Sequence, residues 1–157
     1  MFDGLLVSSY LYRRLATDAT IAALVSGVYE DIIGNNAAAA QASVFPFISF
    51  SVISQDDIMV NGGDIATTNF EVLVRAIDAD TVASGGALSY SGNLDTLASR
   101  IHTLLHDVCL PIYNTPGTAV IGQAKSRRIY PYRERFIDGG IEYRHLGGMY
   151  EVITNPI

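Results

Sequence analysis

His102 and His106, one helical turn apart, are the residues whose type and spacing come nearest to metal chemistry. A pair at i and i+4 offers two imidazoles to one ion, and Asp95 falls on the same flank of the helix. The string, however, is HTLLH, without the glutamate of an HExxH site, and the third histidine, His145, lies on a distant hairpin. The pair reads as polar residues on a helix flank, and no metal or other cofactor is expected. The carboxylate pairs Glu30-Asp31, Asp56-Asp57 and Asp78/Asp80 all adjoin turn residues, where Asp is favoured for its backbone hydrogen bonds. General acid–base work needs two carboxyls in a cleft with separated pKa values, and adjacent turn carboxylates do not supply that. No serine lies in a GxSxG elbow. Cys109, the single cysteine, excludes an internal disulfide and fits a reducing compartment. With no base at a recognisable spacing, it reads as a small buried hydrophobe at a helix end, not a nucleophile. These residues together predict a protein that is not an enzyme.

Lys125, Arg127, Arg128, Arg133, Arg135 and Arg144, interleaved with Tyr130, Tyr132, Phe136 and Tyr143, form the best functional candidate. Arg with Tyr is the composition of protein-interface hot spots and of platforms for single-stranded nucleic acid. The plainer reading is a hairpin whose outer face is merely solvated. Charge separates the first two. The chain carries a formal −6, with four basic and twelve acidic residues over 1–120 but six basic and four acidic over 121–157. An acidic average opposes general nucleic-acid binding. A basic region on one copy facing the acidic remainder of the next suits a head-to-tail protein contact, which closes into a ring when the rotation permits.

The elements that must position these residues follow from periodicity. At 157 residues and 49% apolar, the chain makes one domain, 1–157, with a real core. No window reaches the roughly 18 apolar residues of a membrane span, and the N-terminus lacks a basic segment before its apolar part, so a soluble, cytoplasm-made protein is expected. Residues 3–16 read as a helix with Leu5, Leu6, Leu11 and Leu15 in a stripe and Arg13 and Arg14 near its C-terminal end. A short helical turn follows, capped by Thr17 or Asp18 and ended by Gly27, before an extended piece at Val28-Tyr29. Residues 31–43 read as a loop. Residues 45–54 alternate as a strand whose Ile48, Phe50 and Val52 should face the core. Asp56-Asp57 and the run 61–64 mark a connection to the strand 69–78, which should pair with it antiparallel. In that strand Phe70, Val72, Val74 and Ala76 fall on one side, Glu71 and Arg75 on the other. A Gly/Ser-rich gap, 80–93, leads to a helix over 93–108 with Leu94, Leu97, Ile101, Leu104, Leu105 and Val108 in one stripe. Its GGALSYSG lacks the Lys-Ser/Thr ending of a phosphate loop. Pro111 and the 114–117 turn stop the helix. The remainder reads as β, with its last two strands joined at Asp138-Gly139; that turn sets Arg135 opposite Glu142 and Phe136 opposite Ile141. The expected fold is α+β: a mostly antiparallel, mixed sheet of four to six strands, two main helices on one face, and a long C-terminal hairpin.

This order of elements resembles the tail-terminator (tail-completion, head–tail joining) proteins of tailed phages over nearly the whole chain. The resemblance rests on Leu15, Asp18, Leu24, Val28-Tyr29, Pro46-Phe47, residues 72–78 and the Leu97/Leu104/Leu105 helix. The segments 37–40 and 85–92 look longer than the family's usual connections. The resemblance implies a non-enzymatic virion protein in the tail or neck, a homo-oligomeric ring that is typically a hexamer. Such a ring sits on the tail-tube protein, stops tube polymerisation and receives the head-completion (stopper) or adaptor protein. Double-stranded DNA passes through its lumen without sequence recognition, and no membrane is involved. It further implies an interface formed by Arg127, Arg128, Tyr130, Tyr132, Arg133, Arg135 and Arg144, with Tyr90 in the Gly/Ser gap as a contact-loop residue. The alternatives are a neighbouring neck or stopper protein of the same connector, or a nucleic-acid-binding module built on the Arg/Tyr hairpin.

Overall fold

Residues 4–30, 46–60, 63–77, 91–114 and 117–156 are described by the computed structural model. They form helices α1 (Gly4–Ala16), α2 (Ala19–Leu24) and α3 (Ser91–Leu105), and strands β1 (Val28–Glu30), β2 (Phe47–Val60), β3 (Gly63–Ile77), β4 (Val108–Tyr113), β5 (Val120–Asp138) and β6 (Ile141–Pro156). The strands make one curled, half-barrel sheet in the order β1-β2-β3-β6-β5-β4. Only β1 against β2 is parallel; every other pairing is antiparallel. The α+β single-sheet expectation holds, with six strands. The loop reading of 31–43, Asp78/Asp80 and most of the Gly/Ser gap fall outside the described residues.

Alternation in β3 decides where the core lies. Phe70, Val72, Val74 and Ala76 are all buried on the side that the helices cover. They meet Val7, Leu11 and Leu15 of α1 and Leu94, Leu97, Ile101, Leu104 and Leu105 of α3, residues that recur at helical spacing. Leu5 and Leu6 are outside the residues whose side chains are described. Full burial of a side chain such as Leu97 or Ile101 contributes about 1.5–3 kcal/mol. An exposed ion pair contributes at most about 1 kcal/mol, so apolar docking, not charge, fixes the helix layer. Asp18 caps α2 by accepting a hydrogen bond from the Ile21 N–H at 3.1 Å.

Four details depart from the expected pattern. The main helix ends at Leu105, since Asp107 adopts φ +52°, a left-handed conformation that Asp tolerates; Val108 and Cys109 belong to β4, and Cys109 is exposed, not buried. Pro111 likewise stops no helix; it sits within β4, an edge strand of the sheet, where its missing donor costs little. β2 runs through Asp56-Asp57, which pair with Thr67 and Ala66; Val52, expected in the core, is 38% exposed and lies outside the buried cluster that holds Ile48 and Phe50, beside a bulge at Ile53. The C-terminal hairpin turns at Gly139-Gly140, with φ of +57° and +80°, setting Phe136 opposite Tyr143 and Arg135 opposite Arg144. A two-residue turn of this hand needs positive φ at both positions; Asp-Gly can supply it, but two glycines do so without steric cost and take the turn here.

Candidate assembly interface

The arginines and tyrosines of the C-terminal hairpin sit where β5 outruns its neighbour. β4 pairs with β5 only from Val120 to Ser126, so from Arg127 to the turn one side of β5 has no strand partner among the described residues. Within this open length a bulge inserts Ile129 between Arg128, opposite Tyr150, and Tyr130, opposite Met149. The bulge shifts the side-chain alternation by one residue. Arg128, Arg133, Arg135 and Arg144 consequently point to the helix side of the sheet, while Arg127, Tyr130 and Tyr132 point to the other face. Ile129 and Tyr130 are each 47% exposed, and Ile137 is 69% exposed. The cluster is therefore an open edge with apolar residues along it, not one basic face. Tyr90 lies outside the described residues.

The positive charge is also largely matched from within. Arg127 Nε donates to Glu151 Oε1 at 2.7 Å, and Arg133 Nη2 to Asp95 Oδ1 on α3 at 3.3 Å. Glu142 lies between Arg135 (Nε–Oε1 2.5 Å) and Arg144 (Nε–Oε1 2.9 Å), which reconciles two arginines placed directly across the strands. The hydrogen bond from Arg135, with Arg144 beside it, holds the Glu142 carboxyl below its ordinary range. Sequence reading paired Arg135 with Glu142 as direct neighbours; the two meet instead on the diagonal of the ladder.

The face away from the helices holds a second polar assembly that the sequence did not reveal. Arg75 is 7% exposed and donates from Nε to Ser49 Oγ at 2.7 Å. His145, opposite Arg75 across β3 and β6, is 5% exposed, with Nδ1 3.3 Å from Glu134 Oε2 and Nε2 buried without a hydrogen-bond partner among the described residues. Burial and then the Arg75 charge push its pKa down to about 4, so the imidazole is neutral. The Tyr132 hydroxyl donates to Glu134 at 3.0 Å, and Phe136 stacks on Tyr143 with centroids 5.2 Å apart. Alternation placed Arg75 correctly on this face; its burial depends on cross-strand neighbours some 70 residues later in the chain, which no local pattern announces.

His102 and His106 stack on each other, centroids 4.4 Å apart. His106 Nδ1 accepts the Arg128 backbone N–H at 3.1 Å, tying the end of α3 to the bulge of β5, and Nε2 lies 3.3 Å from Asp107. Burial lowers the His102 pKa, and Arg128 lowers it further. Asp95, the third member of the sequence-level group, is engaged with Arg133. No group of three or more His, Cys, Asp or Glu side chains that could hold an ion occurs among the described residues, and no described helix is long and apolar enough to cross a membrane.

The class of fold is thus a single curled mixed sheet covered on one face by helices, with a long hairpin left partly open. No protein-family model and no curated protein matches the chain. Among solved structures, it is similar to a chain of the virion of a native gene transfer agent (GTA) particle, at 17% identity and a TM-score of 0.56 over 92% of each chain. At that identity the likeness shows a shared fold.

Proposed function

We propose that this chain is a structural protein of a phage-like virion. Copies of it assemble into a ring, a hexamer, on the end of the tail tube, ending tube growth and joining the tail to the neck proteins of the head while DNA passes through the lumen. The observation that carries the reading is the fold shared with a virion component over 92% of both chains. The tail-terminator resemblance of the sequence supplies the finer role, and the reading contains no enzymatic step.

The sheet adds support for self-assembly. Residues 51–60 of β2, beyond β1, and residues 127–138 of β5, beyond β4, each leave one side unpaired among the described residues. β2 and β5 are separated by three antiparallel steps and so run in opposite directions. Neighbouring copies held in the same orientation around a ring would bring these two edges together antiparallel. Each edge carries a bulge with exposed apolar residues, Val52 and Ile53 on one, Ile129 and Tyr130 on the other. The sequence places Asp56-Asp57 on the β2 edge, so an acidic substitution on the β5 edge facing it would meet like charge.

The test is to add the purified protein to polymerising tail-tube protein. A terminator shortens the tubes and appears as a cap at one end in electron micrographs. Tubes of unchanged length without added density would overturn the reading. Density on head particles alone would favour a neck or stopper protein instead.

A further inference from the structure

A groove of about 350 Å³ runs between β4 and the C-terminal half of α1. It touches five consecutive residues of and after β4, from Leu110 to Asn114. Successive strand residues point to opposite faces, so a groove meeting all five follows the edge of the strand, not one face. That edge is open: β4 ends the sheet and pairs only with β5 among the described residues. Across the groove, Ser9, Arg13 and Thr17 repeat at i, i+4 and i+8, the spacing of one helix face.

Among the described residues, the lining contains two guanidinium groups and no carboxylate. Arg14 is steadied by a hydrogen bond from Nε to the Leu104 carbonyl at 3.3 Å. Arg13 forms no ion pair among the described residues, and it reaches over Gly117, where a Cβ would come within 3.2 Å of its Nη1. An open strand edge offers backbone donors and acceptors to an added strand. Each guanidinium group can hold a carboxylate in bidentate geometry. Pro111 removes one donor from the edge and confines pairing to the residues on either side.

We propose that this groove docks an extended, acidic segment of a partner protein, which adds as a strand to β4 while its carboxylates are held by Arg13 and Arg14. The site is separate from the β5 edge and does not depend on the ring reading. The occupant is identified by charge complementarity: two cations line a strand edge that has no acid of its own.

The experiment titrates ¹⁵N-labelled full-length protein with a synthetic peptide of alternating valine and glutamate, its valine–lysine counterpart, and a short oligothymidylate. The glutamate peptide should shift amide resonances of α1 and β4. Arg13→Glu, an exposed change that should leave the fold intact by circular dichroism, should weaken its binding about tenfold, as loss of a charge-assisted hydrogen bond requires. Equal binding of the lysine peptide, stronger binding of the oligonucleotide, or no shifts at millimolar glutamate peptide would each overturn the proposal. So would the same shifts appearing on concentrating the protein alone, which would make a second copy the occupant.

Discussion

Asp18 uses one carboxylate for two tasks. Oδ1 caps α2, while Oδ2 receives Arg100 of α3 at 2.6 and 3.0 Å, so a helix start and a helix-to-helix contact share a side chain only 8% exposed. Asp18→Ala should cost about 1–2 kcal/mol in urea unfolding, the range of a lost cap. Asp18→Asn, which keeps the capping oxygen, should recover the larger part. The hydrogen bond from Arg100 lowers the Asp18 pKa. A depressed carboxylate stabilises the fold above its unfolded pKa of about 4 and loses that contribution as the pH falls through the folded value. The Asn variant should therefore show a flatter decline in stability on the acid side. His145 acts over a different window. Its folded pKa, about 4, lies below the ordinary histidine value, so between the two the unfolded chain binds more protons than the native one. Stability should be full above about pH 6.5 and fall as the pH drops toward 4. His145→Gln should remove that part of the slope in denaturation midpoints measured from pH 7 to 4.5.

At the scale of elements, close approach matters more than charge. Gly147 of β6 lies against β3 so tightly that a Cβ would stand 1.9 Å from the Val72 carbonyl oxygen. Because the obstacle is backbone within the central ladder, Gly147→Ala should cost at least about 2 kcal/mol. Gly139→Ala, in open space at φ +57°, should cost about 1 kcal/mol for the backbone conformation alone. Chemical denaturation of the two variants separates these causes. β4 provides a third check: Cys109 is exposed on that strand, so one thiol per chain should react with a disulfide reagent without denaturant. Helix stripes and the alternation in β3 were legible because burial on one face imposes a period on the residues themselves. The end of α3 was not, because Val108 continues the apolar rhythm while the backbone reverses at Asp107. The hairpin register differs for a related reason: pairing Arg135 with Glu142 looks favourable locally, but two positive-φ glycines fix the turn, and Glu142 meets Arg135 diagonally across the strands and Arg144 along its own strand. The Arg/Tyr cluster was legible as composition, yet its division between two faces follows from one inserted residue, Ile129. The Arg75–His145–Glu134 assembly joins β3, β5 and β6 across long sequence separations, so no local period marks it.

For the whole molecule, the proposed assembly depends on two open edges of opposite direction at the two sides of one sheet. An aspartate in place of Ile129 removes apolar surface and adds a negative charge at the bulge, where acidic β2 of the next copy would dock. Ile129→Asp should therefore weaken self-association by about tenfold or more while leaving monomer stability within about 0.5 kcal/mol, since the residue is exposed. Its association constant and its unfolding midpoint together distinguish an interface residue from a merely structural one. The central claim is tested most directly by the solution mass of the unmodified protein, measured by light scattering on a sizing column across a wide concentration range, with and without isolated tail tubes. A closed ring should give a discrete species at about six times the 16.9 kDa chain mass, either free or once tubes are present. A single 16.9 kDa species at every concentration, unchanged by tail tubes, would contradict the account.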